Sequence, residues 1–327
     1  MRRLITRRDR CTVALGTIAV SLPSMVLSGW LLATVAGYPG RWVAVTVTAL
    51  WLLCGVLVQW LGVLLATVAR HGTPVDPESP AGRAWAEVAR AAGIDASGFQ
   101  VWISESDRVH GFATAGGHLV VTRAAVDALT GPQLAALLAH ELGHQVLASH
   151  RLVLLTRWYR WPVDGLLSTS TWAIYLVLGL LRPDPVLTDA RFRAGTLGFL
   201  VGSLTVFVPM VAAFACWVAL VGAGLVFLLG VPGAACAALL LIAQEFARPA
   251  LSRWVESRAD DTAVDLGYGR AFLGVLIQLA HQDQEVEPTL QLSRRLGTHP
   301  TVDARMSRVH LREARRRREL TERTRPP

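Results

Sequence analysis

The chain has 327 residues, of which 52% are hydrophobic and only 17% are charged. Soluble domains carry about 25% charged residues, so the composition excludes a purely soluble protein, and the apolar content excludes a disordered chain. Four stretches contain no charge at all, namely residues 11–40, 42–69, 165–181 and 194–244. The other 201 residues hold all 56 charges, which indicates an ordinary globular protein interrupted by apolar segments of membrane length.

The formal net charge of +8 is concentrated at the two ends of the chain. Residues 1–10 carry five Arg and one Asp, and residues 294–327 carry eleven Arg and four acidic residues. A protein that binds nucleic acid presents its basic face within the folded domain, so we expect no nucleic-acid partner. Basic ends beside apolar segments follow the positive-inside rule and predict that both termini are cytoplasmic.

The apolar stretches predict about four transmembrane helices in the cell membrane. Residues 11–38 form an apolar run much longer than the 7–15 residues of a secretory signal core, so we expect a retained helix that pairs with residues 42–69 in a hairpin. The run 194–244 would be about 76 Å long as one helix, whereas a bilayer core is about 30 Å thick. We therefore predict two spans there, and a helix at residues 165–181 that lies on the membrane or packs on the bundle.

Residues 70–163 predict a cytoplasmic α+β region. Ser79 followed by Pro80 is typical of a helix start, and Gly93 of a helix end. Strand patterns occupy residues 99–103, 112–114 and 118–122, of which the last two read as a hairpin. Thr130 and Gln133 have the spacing of a capping box, which starts a long helix through about Ser149.

This last helix carries the motif His140-Glu141-Leu142-Gly143-His144. Two His four residues apart project from one face of a helix, where both imidazoles can bind the same Zn²⁺. Glu141 lies at the edge of that face and can take a proton from metal-bound water. The motif predicts a zinc peptidase site with Glu141 as the general base.

A catalytic zinc needs a third protein ligand. His150 would lie about 240° around the helix from His144, so we expect it to face away from the metal. Glu256 and Asp260 are four residues apart and share a helix face, so that one can bind metal while the other holds a ligand His. Other carboxylates remain as alternatives: Glu245, Asp261 and Asp265.

Four sequence blocks carry a resemblance to a known family. They are Gly111-Phe112-Ala113-Thr114 with its hairpin, the HExxH motif, the Ser-Arg-x-x-Glu-x-x-Ala-Asp run at residues 252–260, and Thr298-His299-Pro300. In order and spacing, from about residue 70 to about 310, the chain resembles the HtpX and CAAX prenyl protease group of membrane-embedded zinc metallopeptidases.

The resemblance implies the roles of individual residues. It implies one Zn²⁺ per chain held by His140, His144 and Glu256, with Glu141 as general base and Asp260 as the partner of a ligand histidine. It also implies that His299 comes near the zinc and helps stabilise the oxyanion. The family has Asn before its Ala-Phe-Ala-Thr block where this chain has His110 and Gly111. The residues of this block that we expect to contact substrate are His110, Phe112 and Ala113.

The strand at residues 118–122 is predicted to accept an extended peptide as an added strand, which would place His118 and Val120 beside the substrate. Such binding reads the substrate backbone more than its side chains. We therefore expect broad specificity.

These predictions combine into five segments. They are a transmembrane hairpin (1–70), the first part of a zincin-like catalytic domain (71–163), an interfacial helix with a second transmembrane pair (164–250), the second catalytic part (251–310) and an Arg-rich tail (311–327). The predicted protein is a mainly α membrane metallopeptidase with a small β-sheet and a cytoplasmic active site. Its partners are a protein substrate and the bilayer, and the resemblance implies a role in quality control. The alternatives are a non-catalytic membrane adaptor and a protease dedicated to one partner.

Overall fold

The computed structural model describes residues 6–68, 72–114, 117–147, 150–180, 195–284 and 300–324. The described chain is mainly helical with one small sheet. The helices are α1 (Arg7–Gly37), α2 (Arg41–Val68), α3 (Pro80–Ala92), α4 (Arg123–Ala128), α5 (Gly131–Leu147), α6 (His150–Leu180), α7 (Gly195–Asp265), α8 (Gly269–Gln284) and α9 (Val302–Thr324). The strands are β1 (Thr73–Pro74), β2 (Gln100–Ser104), β3 (Gly111–Thr114) and β4 (His118–Thr122).

Three helical segments within the described residues are long and apolar enough to cross a membrane: Arg7–Gly37, Arg41–Gly62 and Leu229–Asp265. They confirm the predicted class of a mainly α membrane protein. Helix α7 is interrupted at Gly230, whose φ of +69° is readily adopted only by glycine. The second span predicted in the run 194–244 falls before this break, largely outside the side chains that the structure describes, and stays a prediction. The same holds for the interfacial role of residues 165–181.

The sheet has the strand order β1-β2-β4-β3. Strand β4 pairs in parallel with β2 and antiparallel with β3, so both of its edges are occupied. The prediction that residues 118–122 accept a peptide as an added strand is therefore wrong, because β4 has no free backbone groups to offer. Strand β3 is the edge strand beside β4, and no described residue pairs with its outer side.

The core of the water-soluble part lies between the sheet and helices α3, α5 and α8. Its largest fully buried side chains include Val88 of α3, Leu138 of α5 and Phe272 of α8. The predicted caps hold the helix starts: Ser79 Oγ accepts from Gly82 N–H at 3.1 Å, and Gln133 Oε1 accepts from Thr130 N–H at 2.9 Å. These caps orient α3 and α5 against the sheet.

The chain divides into two compact units. The first comprises Met1–Ser21, Trp51–Trp158 and Gln244–Pro327, and it contains the whole sheet and the HExxH helix. The second comprises Leu22–Leu50 and Tyr159–Ala243. Within the second unit, Ser28 Oγ accepts from Val163 N–H at 3.2 Å, next to Pro162 of α6.

Candidate metal site

The HExxH histidines and a glutamate from α7 converge on one point. His140 Nε2 and His144 Nε2 lie 3.2 Å apart, and each lies 3.5 Å from a carboxylate oxygen of Glu256. Bonds of about 2.1 Å to a tetrahedral Zn²⁺ would separate the ligand atoms by about 3.4 Å. The three side chains are the one group within the described residues that could hold a metal ion in this way, so the donor set fits zinc in type and spacing.

Glycine at position 143 explains how α5 and α7 approach closely enough to share a metal. A Cβ at this position would lie 2.8 Å from Ala259 Cα and 3.1 Å from Thr262 Oγ1, both on α7. The first of these distances is too short for any side chain. The glycine between the two ligand histidines therefore sets the distance from α5 to the helix that carries Glu256.

A buried contact with Asp260 fixes the orientation of His140. Its Nδ1 lies 2.9 Å from Asp260 Oδ1, so Nε2 is directed to the point shared with His144 and Glu256. Arg305 of α9 binds the same carboxylate in a bidentate manner, through Nε at 3.0 Å and Nη2 at 2.7 Å. Asp260 is 1% exposed, so Arg305 balances a charge that would otherwise be costly to bury.

Arg305 also lies near Glu256. Its Nη2 is 3.6 Å from Glu256 Oε2. Burial acts to lower the pKa of Arg305, but the charge of Asp260, its hydrogen bond and the carboxylates of Glu256 and Glu141 outweigh burial and raise it. The guanidinium therefore stays charged beside three carboxylates.

The carboxylates around His144 raise its pKa. Burial acts to lower this pKa, but the hydrogen bond to Glu256 and the negative charges of Glu141, Glu256 and Asp260 have the larger combined effect. An imidazole must be neutral to bind metal. The excess of carboxylates at this point suits a dication.

The buried Glu141 lines a cavity of about 360 Å³, which is also lined by His140, His144 and Glu256. A Cβ on Gly111 of β3 would lie 3.2 Å from Glu141 Oε1, so the glycine lets the edge strand pass close to this carboxylate. Apolar side chains from three directions line the rest of the cavity: Val109, Phe112, Leu137, Phe272, Val275 and Leu279.

The structure places the predicted site residues in three groups. His140, Glu141, His144, Glu256 and Asp260 lie together, and His110, Phe112 and Ala113 line the cavity beside them. His118 and Val120 are buried in β4 and do not line this cavity; their predicted contact with substrate is wrong, because it depended on β4 being an edge strand. His299 lies outside the described residues.

The alternative carboxylates each face an arginine instead of the metal point. Asp265 binds Arg312 in a bidentate manner at 3.1 and 2.8 Å. Glu245 accepts from Arg248 at 2.9 Å, and Asp261 lies 3.5 Å from Arg258. Their placement leaves Glu256 as the third member of the donor set.

Two residues of the site were missed in the sequence. Arg305 occupies the apolar stripe of α9 with Val302, Met306 and Val309, and a charged residue within such a stripe was the available signal. Gln145 follows His144 directly, and its Nε2 donates to the carbonyl oxygens of Thr114 and His118, linking the HExxH helix to the hairpin. No sequence signal points to this link.

Comparison with known proteins agrees with the site. Residues 82–174 match the model of the family described as Peptidase family M48. This match confirms, over those residues, the resemblance to the HtpX and CAAX prenyl protease group, and it supports a membrane metallopeptidase. No curated protein matches the chain.

Among solved structures, the chain is similar to one titled "Crystal Structure of S. mikatae Ste24p". The identity is 16% and the TM-score is 0.39, and the alignment covers 93% of this chain and 66% of that chain. The chain thus spans just under two thirds of that protein's length. Neither comparison assigns a role to a residue of the site.

Proposed function

We propose that the protein is a membrane-integrated zinc endopeptidase that hydrolyses peptide bonds of membrane or membrane-associated proteins. The observation that carries this proposal is the cluster of His140, His144 and Glu256, of which His140 and Glu256 are buried, with Glu141 beside it in the lining of a cavity. A structural zinc site is closed by four protein ligands, whereas a catalytic site keeps one position open. Three protein donors that border a cavity support the catalytic kind.

In the proposed reaction, bound zinc would polarise the scissile carbonyl and make water acidic near pH 7. Glu141 accepts a proton from the attacking water and returns it to the leaving amine. His140 is held in one tautomer by Asp260, which Arg305 fixes in turn. We propose that His299 stabilises the oxyanion, as the family resemblance implies.

We further propose that the substrate binds along the free edge of β3, in place of the predicted binding to β4. Thr122 N–H donates to His110 C=O at 3.0 Å, so His110 directs its carbonyl toward β4. Backbone groups alternate in direction along an antiparallel strand, and Gly111 and Ala113 therefore direct theirs to the outer side. These two residues line the cavity beside Glu141 and would hold an extended peptide there.

The proposed location is the cytoplasmic face of the cell membrane. Both basic chain ends belong to the same compact unit as the HExxH helix, and basic segments favour the cytoplasm. The contact between His140 and Glu256 requires an even number of crossings between them. A role in quality control would suit a site that recognises backbone.

The direct test compares the wild-type protein with Glu141→Gln, both purified as full chains in detergent with zinc. We expect about one zinc per chain in each, and a loss of cleavage of an unfolded membrane protein by about 10²–10⁴-fold in the variant. Undiminished cleavage by Glu141→Gln would contradict the mechanism. Zinc binding without cleavage by the wild-type protein would instead favour the non-catalytic adaptor.

A further inference from the structure

The end of α7 that carries Glu256 contacts other helices through two opposite faces. Glu256 and Asp260 lie on the face toward α5 and α9, as described above. Arg258 lies two residues from each of them, which is about 200° around the helix axis. It therefore occupies the opposite face, and this face packs on the beginning of α1 within the same compact unit.

Two contacts join α1 to this opposite face in one register. Arg258 Nη2 donates to Asp9 Oδ1, and a Cβ on Gly16 would lie 3.0 Å from Leu251 Cδ1. Gly16 is seven residues after Asp9, and Leu251 is seven residues before Arg258. The helices therefore run antiparallel with a heptad spacing between contacts, which is the spacing that keeps one face of each helix toward the other. Val13, between the two contacts on α1, is buried.

Asp9 is held in place from its own helix as well. Its Oδ2 accepts from Thr6 N–H at 3.1 Å and from Thr6 Oγ1 at 2.7 Å, while Thr6 Oγ1 accepts from Asp9 N–H at 3.2 Å. This is a reciprocal cap of the helix start. One carboxylate thus caps α1 through one oxygen and binds Arg258 of the ligand helix through the other.

Arg258 is also restrained on its own helix. Its guanidinium carbon lies 5.4 Å from the ring centroid of Trp254, and its Nη1 lies 3.5 Å from Asp261 Oδ2. In this contact the side chain of Asp9 is 14% exposed and that of Arg258 is 36% exposed, so the pair is partly shielded from water. Partial removal from water strengthens the electrostatic attraction between Asp9 and Arg258.

We infer that Asp9 is a positioning residue of the metal site, which acts through Arg258 by fixing the rotation of the α7 end about its axis. A rotation of about 20° moves an atom about 5 Å from a helix axis by about 1.7 Å. Zinc sites tolerate errors of only about 0.2 Å in ligand distance. Without the Asp9 contact, Glu256 would depart from the point set by His140 and His144. The inference rests on the proposed zinc function.

The test uses full-length protein in detergent and the variants Asp9→Asn and Asp9→Glu. We expect Asp9→Asn to weaken zinc binding about tenfold in competition with a chelator and to lower kcat, with KM within about twofold of wild type. Asp9→Glu keeps the carboxylate and should recover most of the affinity. The matched control is Glu105→Gln, which removes the charge of Glu105 from its exposed pair with Arg123 and should leave zinc affinity unchanged.

Hydrogen exchange of the metal-free proteins provides a readout that does not depend on zinc. Asp9→Asn should raise exchange in residues 251–262 more than in α3, because the loss of the contact frees the α7 end first. Should Asp9→Asn fold poorly, Arg258→Met removes the same contact from the other side. The inference is overturned if both variants keep zinc affinity and kcat within twofold of wild type, even with a lower Tm. A wild-type protein that binds no zinc would refute the proposed function. The exchange data would still show whether Asp9 restrains the end of α7.

Discussion

The two sides of the cavity are built by different means. The metal side consists of helices α5, α7 and α9, on which the side chains of His140, Asp260 and Arg305 contact one another. The proposed substrate side is the edge strand β3, which offers mainly backbone groups. A side chain on the metal side is constrained by several partners. Strand β3, in contrast, needs only an extended backbone to form the proposed hydrogen bonds with a peptide. Mutations should therefore have large effects on the metal side and small effects on the substrate side.

The largest effect on the metal side should come from Glu256→Ala. Loss of a ligand should weaken zinc binding by more than about 100-fold, since even loss of an outer partner costs 10–100-fold. Zinc content after dialysis, measured by elemental analysis, provides the check. Glu245→Ala is the matched control on the same helix, because Glu245 is exposed and pairs with Arg248, and Asp261→Ala tests the remaining alternative ligand. A variant pair in which Asp261→Ala loses zinc and Glu256→Ala retains it would reverse the assignment.

Replacement of Arg305 by Met should follow in size. It leaves Asp260 buried without its bidentate partner, which should weaken zinc binding about 10–100-fold and lower the free energy of unfolding by about 3 kcal/mol. Zinc competition and thermal unfolding measure the two effects. Arg308→Met, on the exposed side of the same helix, should change neither. Equal effects of the two substitutions would show that Arg305 acts only through the net charge.

The Gly143→Ala substitution tests the close approach of α5 to α7. The added Cβ would meet Ala259 Cα at 2.8 Å, and we expect a loss of about 1–3 kcal/mol in the free energy of unfolding with weaker zinc binding. The control Gly131→Ala meets no atom within 4 Å and should be neutral or stabilising, since alanine favours helix. Comparable stability of both variants would mean that the helices can separate without cost.

The smallest effect should be found on the substrate side. An ester in place of the substrate amide that donates to the Gly111 or Ala113 carbonyl removes one hydrogen bond, and it should lower kcat/KM about fivefold, corresponding to about 1 kcal/mol. An ester one residue further along lies on the side directed away from β3 and should have little effect. Steady-state kinetics on the three peptides would reveal this alternation. Its absence would contradict the binding of substrate along β3.

The sequence predicted most of the metal side and the hairpin of β3 and β4, but it did not predict the order of the strands. Helical spacing alone places His140 with His144 and Glu256 with Asp260, because the α-helix repeats regularly. The order of strands in a sheet depends on contacts between distant segments, so nothing in residues 118–122 shows that β4 is enclosed by β2 and β3. Arg305 and Asp9 were missed for the same reason. Arg305 contacts Asp260, which is 45 positions away in the sequence, and Asp9 contacts Arg258, which is 249 positions away.

The length of the last part of α7 has a consequence for which bonds the protein can reach. From Gln244 to Glu256, α7 rises about 18 Å within the first compact unit. This stretch carries Glu245, Arg248 and Arg253, and charged side chains are costly in the lipid interior. Under the proposed function, the metal point would therefore lie outside the hydrocarbon layer, and the natural targets would be chain segments that flank the membrane helices of a substrate.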